Sequence, residues 1–578
     1  MQDMNLIRYG KKPINRQGWR KIDRFKQRQQ RELERVIKKA IHKHCDAATA
    51  KAAINGYHRS ATDARSGEND FLKTDQPFTP VLRDLHYRRA LHVTSKLFQP
   101  SRRLRPIAFP DLRYYPWTLN VSAEAPYLES NFWQEYVKQK EREGEIDNTR
   151  ISFHNLYNEI FHENRIHVHS IKYGMAPFWD ANGNPVPYEF NHLHSRSHLV
   201  KEDKPDKIRA VFGVPKLLLM VENMFIWNLQ KEYLNDRVSK SPLLWGFETI
   251  RGGWQKLVNR LSSKPYSTLI SADWSGFDHK ALHEVIDDVH IMWRSWFDFD
   301  KGYEPSVSDT HDYSQSTTEE WKIQNLWDWM TNAIKHTPIK AESGNTYGWK
   351  FNGIASGFQQ TQLLDSFVNC IMLLTCLSAC GINIMSSSFQ ALFQGDDSVV
   401  AFNELLHIPT LLAQMSHEAK KRFNADLSPD KTTWGTSDNI EVLSYRNRSG
   451  LAYREPAELL AHLLYSERPR TPEATASACV GICQAAMGCS EQVYNACFDA
   501  FSFLVKEWKV VPEYPEDSHE PFKRPLYSFE SKPLTVEDFP SRLKTFLQNF
   551  DTRTRTESDK QRLWPTKPSG NGFRFLAP

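Results

Sequence analysis

Residues 392–402 read LFQGDDSVVAF and place two adjacent carboxylates, Asp396 and Asp397, between two short apolar runs. Short apolar runs that meet at a glycine predict a β-hairpin with the acidic pair at its tip. Carboxylates next to apolar strands are costly unless they are paired or hold a metal. A chain with this hairpin must therefore fold so that compensating groups reach its tip.

A second acidic stretch, SADWSGFDHKAL, lies upstream at residues 271–282. The run that ends at Asp273 predicts a strand, and the Ser-Gly that follows predicts a turn before Asp278. With this strand beside the hairpin, Asp273, Asp396 and Asp397 would offer the oxygen ligands that suit Mg²⁺, with Mn²⁺ as a possible substitute. Two such ions would activate an attacking hydroxyl and stabilise a leaving phosphate.

Residues 353–369, GIASGFQQTQLLDSFVN, predict a glycine turn followed by a helix. Ser356 and Gly357 form the turn, and Thr361, Asp365 and Asn369 then recur every four residues along one helical face. A polar stripe on an otherwise apolar helix predicts a polar partner. The competing interpretation is a capped helix with a solvated face.

The stripe also suggests how a sugar would be read, because Asn and Asp side chains can both bond ribose hydroxyls. Asp278 together with Asn369 would select ribonucleotides through the 2′-hydroxyl.

Basic residues lie on both sides of these motifs. In KEDKPDKIRAVFGVPK (201–216), Lys207 and Arg209 alternate and would share one face of a strand, with Lys204 nearby. Cations at this place would neutralise a triphosphate. Downstream, DLSPDKTTW places Lys431 after a turn, where it could protonate a departing pyrophosphate. Ordinary solvated surface charge is the alternative for each of them.

Charge is distributed unevenly along the chain. Residues 1–43 contain 14 Lys and Arg against 4 Asp and Glu, a net charge of +10, whereas the whole chain carries only +5. A basic segment on a nearly balanced body predicts a polyanionic partner, RNA or the interior of a capsid. The length of 578 residues predicts more than one subdomain. The polar N-terminus and the short apolar run 370–385 predict a protein that is neither secreted nor membrane-spanning.

The order of these motifs resembles the viral RNA-dependent RNA polymerases. DKIRAV is similar to their triphosphate-contacting motif, DWSGFD to the first palm motif, SGFQQTQLLDSFVN to the second, GDDS to the third and SPDKT to the fourth. VLSYRNRSG (442–450) resembles the hairpin that supports the primer. PLLWGFETIRGGW (242–254) and YRNRSGLAYREPAELLAHLLYSERP resemble the partitivirus polymerases, with the picobirnavirus enzymes as the nearest family alternative.

The resemblance implies an α+β fold in the form of a closed right hand, with an antiparallel palm sheet and many helices. It implies a basic N-terminal arm or helix at 1–60, fingers at 61–265 with an insertion at 300–355, palm at 266–299 and 356–450, and a thumb with the C-terminal segment at 451–578.

The resemblance also implies the role of each residue. Metals would be held by Asp273, Asp396 and Asp397, with Lys431 as the acid. The nucleotide would be bound by Lys207, Arg209, Asp278, Ser356, Gly357, Thr361 and Asn369. Template and primer would be contacted by Lys204, Tyr445 and Arg446.

The implied activity is RNA synthesis from ribonucleoside triphosphates, in transcription and replication of a double-stranded RNA genome. The implied partners are template, product duplex and capsid protein, without a membrane, inside a virus particle in the host cytoplasm.

Two other functions are consistent with part of the sequence. A structural RNA-binding protein needs only the basic segment and the interleaved Arg and aromatic residues. A reverse transcriptase shares the paired Asp but generally has an aromatic residue where this chain has Asp278, which favours ribonucleotides.

Overall fold

The computed structural model describes residues 3–13, 24–115, 117–235, 240–264, 266, 268–305, 319–515 and 531–551. Helices and short, mostly antiparallel strands alternate along this part of the chain, which confirms the predicted α+β class. The helices are α1 Arg24–His44, α2 Ala47–Asn55, α3 Ser66–Phe71, α4 Leu85–Phe98, α5 Asn131–Arg142, α6 Tyr157–Lys172, α7 Lys216–Asn235, α8 Gly253–Ser262, α9 Phe277–Lys280, α10 His283–Arg294, α11 Glu320–His336, α12 Thr361–Ala379, α13 Ile408–Phe423, α14 Pro456–Leu464, α15 Pro472–Ala485, α16 Glu491–Glu507 and α17 Arg542–Leu547. The strands are β1 Leu6–Lys11, β2 Tyr57–Arg59, β3 Asn191–Ser197, β4 Leu199–Lys201, β5 Ile208–Gly213, β6 Thr268–Ala272, β7 Trp274–Ser275, β8 Ile339–Lys340, β9 Asn345–Trp349, β10 Gln390–Gln394, β11 Asp397–Phe402, β12 Asp426–Leu427, β13 Thr433–Gly435, β14 Glu441–Val442, β15 Tyr445–Arg448, β16 Leu451–Tyr453, β17 Glu513–Pro515 and β18 Ser531–Pro533.

A four-stranded antiparallel sheet lies at the centre of the fold, in the order β10-β11-β6-β13. Successive residues of its strands enter two different hydrophobic cores: Ile270 and Val400 face the large core with α12, whereas Leu269 and Val399 face a smaller core with α8. A strand that is buried on both faces needs a continuous apolar run, which explains the composition of β6, β10 and β11.

A second, five-stranded sheet has the order β1-β9-β8-β3-β5, with β3 and β8 parallel and the other pairs antiparallel. Strand β5 forms one edge of this sheet and runs directly towards α7. Strand β1, from the basic N-terminal segment, forms the other edge.

The last large helices form a separate hydrophobic core with the N-terminal ones. Helices α14, α15 and α16 enclose it, and α1 contributes Leu33, Ile37, Ala40 and Ile41. The basic N-terminal segment is therefore built into the fold at both β1 and α1, while residues 8–11 of β1 and the polar face of α1 are exposed. The composition of residues 20–45 predicts a basic helix, which α1 confirms from Arg24 to His44; residues 14–23 lie outside the described residues.

Two details differ from the sequence predictions. The composition of residues 51–80 predicts mostly loop, yet α2, β2 and α3 lie there in whole or in part, because their short apolar stretches pack against distant elements. The polar composition of residues 298–320 predicts a surface insertion, but Phe299 and Tyr303 are buried in the main core, and residues 306–318 lie outside the described residues. Among the helices described, α12 has the length and hydropathy of a membrane span, but 89% of that window is buried inside the protein.

Candidate active site

The acidic pair lies at the hairpin tip, as the sequence predicts. Strands β10 and β11 pair up to Gln394 and Asp397, so Gly395 and Asp396 form a two-residue turn. Gly395 has a φ of 62°, a left-handed conformation that glycine adopts without steric cost. Its backbone N–H donates to Oγ of Ser366 on α12 at 2.8 Å. The helix behind the sheet therefore holds the turn that presents the two carboxylates.

Asp273 follows the last residue of β6, the central strand next to the hairpin. Ala272 pairs with Ser398, so Asp273 and Asp397 lie side by side at the same edge of the sheet. Partial burial raises the pKa of Asp273, and nearby Lys431 opposes the rise. Burial and the charges of Asp396 and Asp273 raise the pKa of Asp397 to about 6. The three carboxylates therefore share one region of negative potential.

A second carboxyl pair, Asp278 and Asp365, faces this cluster. Burial, followed by the charge of Asp396, raises the pKa of Asp278 to about 6. Burial, followed by the charges of Asp278 and Asp396, raises the pKa of Asp365 well above its ordinary value. The surroundings of Asp365 therefore favour its neutral form over its ionised form. Its buried Oδ1 has no hydrogen-bond partner among the described residues.

The predicted cations Lys207, Arg209 and Lys431 all line the same cavity as the carboxylates, and so do Lys73, Arg196 and Lys280. Desolvation lowers the pKa of Lys207, as do Arg209 and Lys431, whereas Asp273 and Asp396 raise it. The turn that carries Lys431 is bonded to the residue that follows β6. The backbone N–H of Ser428 donates to the carbonyl oxygen of Asp273 at 2.9 Å. A shift of either segment would therefore move both the carboxylate and the lysine.

The predicted nucleotide loop borders the cavity as well. Ser356, Gly357 and Thr361 all line it, and the cavity has a volume of about 1370 Å³. The backbone N–H of Phe212 on β5 donates to the carbonyl oxygen of Ser356 at 3.1 Å. A Cβ atom on Gly357 would come within 2.2 Å of the Phe212 carbonyl oxygen, so only glycine allows this close approach.

Asn369 is placed differently from the other predicted nucleotide ligands. It is fully buried behind the acidic turn, where its Oδ1 accepts a hydrogen bond from Nε1 of Trp274 at 2.8 Å. Its Nδ2 donates to the carbonyl oxygens of Gly395 at 2.9 Å and Asp397 at 3.4 Å. It does not line the cavity, whereas Asp365, one helical turn earlier on the same face, does.

The three predicted template and primer contacts also lie outside the cavity lining. Tyr445 is buried in the three-stranded sheet β14-β15-β16, where its hydroxyl donates to the carbonyl oxygen of Ala485 at 2.9 Å. Arg446 is exposed and pairs with Glu441 at 3.1 Å, and Lys204 lies in an exposed turn. Leu443, which the sequence did not single out, is the residue of this hairpin that borders the cavity.

Asp273, Asp396 and Asp397 fit a divalent cation by the chemistry of their donors. All their ligand atoms are carboxylate oxygens, which Mg²⁺ and Mn²⁺ prefer. Burial is the main cause of the raised pKa values of Asp273 and Asp397, and the charge of Asp396 adds to it, so a bound cation would favour their ionised forms. Within the described ranges, no three His, Cys, Asp or Glu side chains already form a compact ligand cluster.

Strand-borne carboxylates, cations and a paired carboxyl site in one cavity are typical of enzymes that transfer nucleotidyl groups. Comparison with known proteins identifies this chemistry more closely. Residues 196–482 match the family model of viral RNA-dependent RNA polymerases.

Two curated relatives carry the name RNA-directed RNA polymerase. The protein from White clover cryptic virus 1 (isolate Boccardo/2004) is 28% identical over 581 aligned positions, which cover 92% of this chain and 91% of that protein. The protein from Atkinsonella hypoxylon virus (isolate 2H) is 26% identical over 439 positions, covering 69% of this chain and 64% of that protein.

The chain is an RNA-directed RNA polymerase. Its residues 196–482 belong to the viral RNA-dependent RNA polymerase family, which confirms the resemblance seen in the order of the motifs.

Proposed function

We propose that the chain transcribes and replicates a double-stranded RNA genome by two-metal nucleotidyl transfer. The observation that carries the proposal is the presence of Asp273, Asp396 and Asp397 at one sheet edge, in one cavity with Lys431. In this reaction the 3′-hydroxyl oxygen of the growing strand attacks the α-phosphorus of a ribonucleoside triphosphate. A new P–O bond forms, and pyrophosphate leaves.

Divalent cations held by Asp273, Asp396 and Asp397, most simply two Mg²⁺, would activate the hydroxyl and offset the charge of the leaving group. Arg209 and Lys207 neutralise the triphosphate from the neighbouring strand β5. Lys431 gives a proton to the departing pyrophosphate. The hydrogen bond from Ser428 to Asp273 keeps the turn that carries Lys431 close to the reaction.

The sugar is read by the carboxyl pair Asp278 and Asp365. Asp278 can accept a hydrogen bond from a ribose hydroxyl, and Asp365, whose buried Oδ1 has no hydrogen-bond partner among the described residues, lines the same cavity. A ligand without the 2′-hydroxyl would leave buried oxygens unpaired, which is how such sites reject the wrong substrate. The predicted role of Asn369 in reading ribose stays an alternative, and the two can be tested against each other.

We interpret the central sheet as the palm of a closed right hand, with fingers and thumb at the boundaries predicted from the sequence. Contacts between the proposed fingers and thumb support closure. Arg196 of the proposed fingers pairs with Glu467 of the proposed thumb at 3.3 Å. Arg59, at the end of the N-terminal segment 1–60, also reaches the thumb, where its Nε donates to the carbonyl oxygen of Tyr465 at 3.2 Å. The hairpin with Tyr445 and Arg446 would lie next to the primer, and Lys204 would lie next to the template.

The viral relatives support the proposed setting. By analogy with their family, the polymerase works on RNA inside a virus particle in the host cytoplasm, with capsid protein as its partner. The exposed basic face of α1 would contact RNA or the capsid interior.

The test is incorporation of labelled UTP by purified protein on a poly(A)-containing RNA template. We expect synthesis with Mg²⁺ or Mn²⁺, none with chelator, and none by Asp396→Ala. Asp300→Ala, which removes an exposed carboxylate outside the cavity lining, is the matched control and should be as active as the wild type. A pre-annealed primer and capsid protein are supplied in parallel reactions.

Substantial synthesis by Asp396→Ala would refute the metal assignment. RNA binding without synthesis under all these conditions would favour a structural RNA-binding protein. Equal use of deoxyribonucleotides would favour a DNA-making enzyme.

A further inference from the structure

Glu222 is a completely buried carboxylate in the middle of α7. All its described hydrogen bonds go to the stretch just before α12. Oε2 accepts from the backbone N–H of Gln359 at 3.2 Å. Oε1 accepts from the backbone N–H of Gln360 at 3.3 Å and from its side-chain amide at 3.0 Å. Burial raises the pKa of Glu222 to about 8, and these donors oppose part of the rise.

The residues that Glu222 holds form one half of the nucleotide loop, 356–360. The other half is held by β5, through the Phe212 N–H to Ser356 bond and the close approach of Gly357 to the Phe212 carbonyl oxygen. The loop is therefore fixed from two sides, and the surface between these anchors lines the cavity.

Both anchors belong to one continuous segment. Strand β5 begins next to Lys207, carries Arg209 and passes directly into α7. The side-chain amide of Gln230, further along α7, donates to the carbonyl oxygen of Gln359 at 3.1 Å. A displacement of α7 relative to the loop would therefore change the distance between the loop and the cations of β5.

The orientation of the Gln360 side chain is also fixed. Nε2 of His290 lies 2.7 Å from Oε1 of Gln360. Because Oε1 can only accept, Nε2 of His290 donates this bond; complete burial lowers the pKa of His290 to about 4 and favours the neutral ring. The amide group of Gln360 then necessarily turns its N–H towards Glu222. Glu222 therefore accepts from two backbone N–H groups and one side-chain amide whose orientations are all fixed.

We propose that Glu222 is a positioning residue that sets the nucleotide loop 356–360 relative to the cations of β5, and thereby the affinity for the incoming ribonucleoside triphosphate. The inference rests on the proposed function. Glu222 is outside the cavity lining and acts through the loop alone. A buried carboxyl group that served packing only could be replaced by a group of the same shape, whereas one whose oxygens accept three N–H bonds cannot.

The test compares Glu222→Gln with Asn228→Ala in primer extension by the full-length chain. Glu222→Gln keeps the volume but turns an amide donor towards the loop donors. Asn228 is the matched control, because it is buried on the same helix and bonds the carbonyl oxygen of Arg105 and Glu304 rather than the loop. Thermal unfolding and template affinity are measured for each variant. Glu222→Asp keeps the carboxyl group but withdraws it from the loop, and serves where Glu222→Gln folds poorly.

For Glu222→Gln we expect the KM for ribonucleoside triphosphate to rise about tenfold, since small displacements of positioning groups cause losses of this order or larger. Template affinity should be unchanged, and Glu222→Asp should show a smaller rise. Asn228→Ala should lower the unfolding temperature without changing this KM. If both Glu222 variants keep the wild-type KM, or if Asn228→Ala raises it equally, the inference is wrong while the polymerase assignment stands. A wild-type chain that makes no RNA under any condition overturns the proposed function and the inference with it.

Discussion

Asn369→Ala separates two roles that the same residue could have. As a ribose ligand, Asn369 should control the choice between ribo- and deoxyribonucleotides. Its position behind the acidic turn predicts something else: it joins Trp274 to the carbonyl oxygens of Gly395 and Asp397. We expect the variant to lose catalytic rate with both kinds of nucleotide in equal proportion, because the turn that carries Asp396 is no longer held.

The size of the effect on stability follows from the hydrogen bonds that the substitution removes. A buried polar group left without a partner costs about 1–3 kcal/mol. Nε1 of Trp274 and the Gly395 carbonyl oxygen each lose the bond to Asn369, so the free energy of unfolding should fall by about 2–6 kcal/mol. A loss of this size is a large part of the ~5–15 kcal/mol typical of a folded protein.

The assay measures kcat/KM for UTP and for its deoxy analogue on one template, together with the free energy of unfolding in denaturant. Asp365→Asn is the contrasting variant, because Asp365 lines the cavity, and it should reduce the preference for UTP. Thr375→Val is the control on the same helix, since its hydroxyl bonds only the carbonyl oxygen of Ile371 among the described residues.

A selective loss of ribonucleotide preference in Asn369→Ala, with normal stability, would refute the positioning role and support the ribose role. An unchanged preference in Asp365→Asn would refute the assignment of the carboxyl pair to the sugar.

Three further predictions follow from charged groups. His192→Gln should lose its effect on stability at high pH. Burial alone would lower the pKa of His192, but contacts with Glu124 and Glu129 outweigh it and raise the pKa from 6.5 to about 9. The stabilisation is therefore complete below 6.5, fades up to about 9 and amounts to at most about 3 kcal/mol. Denaturant unfolding of both proteins at several pH values checks this, and an equal difference at all of them would contradict it. Lys431→Ala should slow single-turnover incorporation about 10²-fold or more without changing template affinity, and a normal rate would exclude it as the acid. Replacing the exposed Arg24, Arg28 and Arg31 by Gln should reduce the slope of log affinity for RNA against log salt by about 0.7 for each phosphate that this face no longer neutralises, and an unchanged slope would exclude RNA as its partner.

Much of the cavity could be predicted because its residues lie at the ends of short apolar strands. Asp273, Asp396 and Asp397 come together because a strand and a hairpin of that pattern must pair within one sheet. The sequence pattern could not show that Asp365 lines the cavity and Asn369 does not. Periodicity assigns both to one helical face, but it does not say how far along the helix the cavity extends. With a rise of about 1.5 Å per residue, Asn369 lies about 6 Å deeper than Asp365, and this depth decides which of them meets the ligand.

Long-range pairing explains what could not be predicted of the fold. Strand β1 pairs with β9, from Leu6 with Trp349 to Lys11 with Asn345, across more than half of the chain. The sequence of neither strand indicates this partner, because each strand is short and could also pair with other sheet edges. The same holds for α1, whose apolar positions predict an amphipathic helix but not the core of α14–α16 that receives it.

The site also stores unfavourable electrostatic energy, and the helix behind it explains how the fold tolerates this. Burial and mutual repulsion raise the pKa values of Asp273, Asp278, Asp365 and Asp397. Raised carboxyl pKa values mean that the ionised forms destabilise the folded protein at neutral pH. The turn would relax away from this repulsion if it were free, but Ser366 and Asn369 bond its backbone from α12, the most deeply buried helix next to the sheet. The large apolar core thus holds the carboxylates in place before substrate arrives. A cation and a triphosphate can then gain binding energy from charges that are already positioned for them.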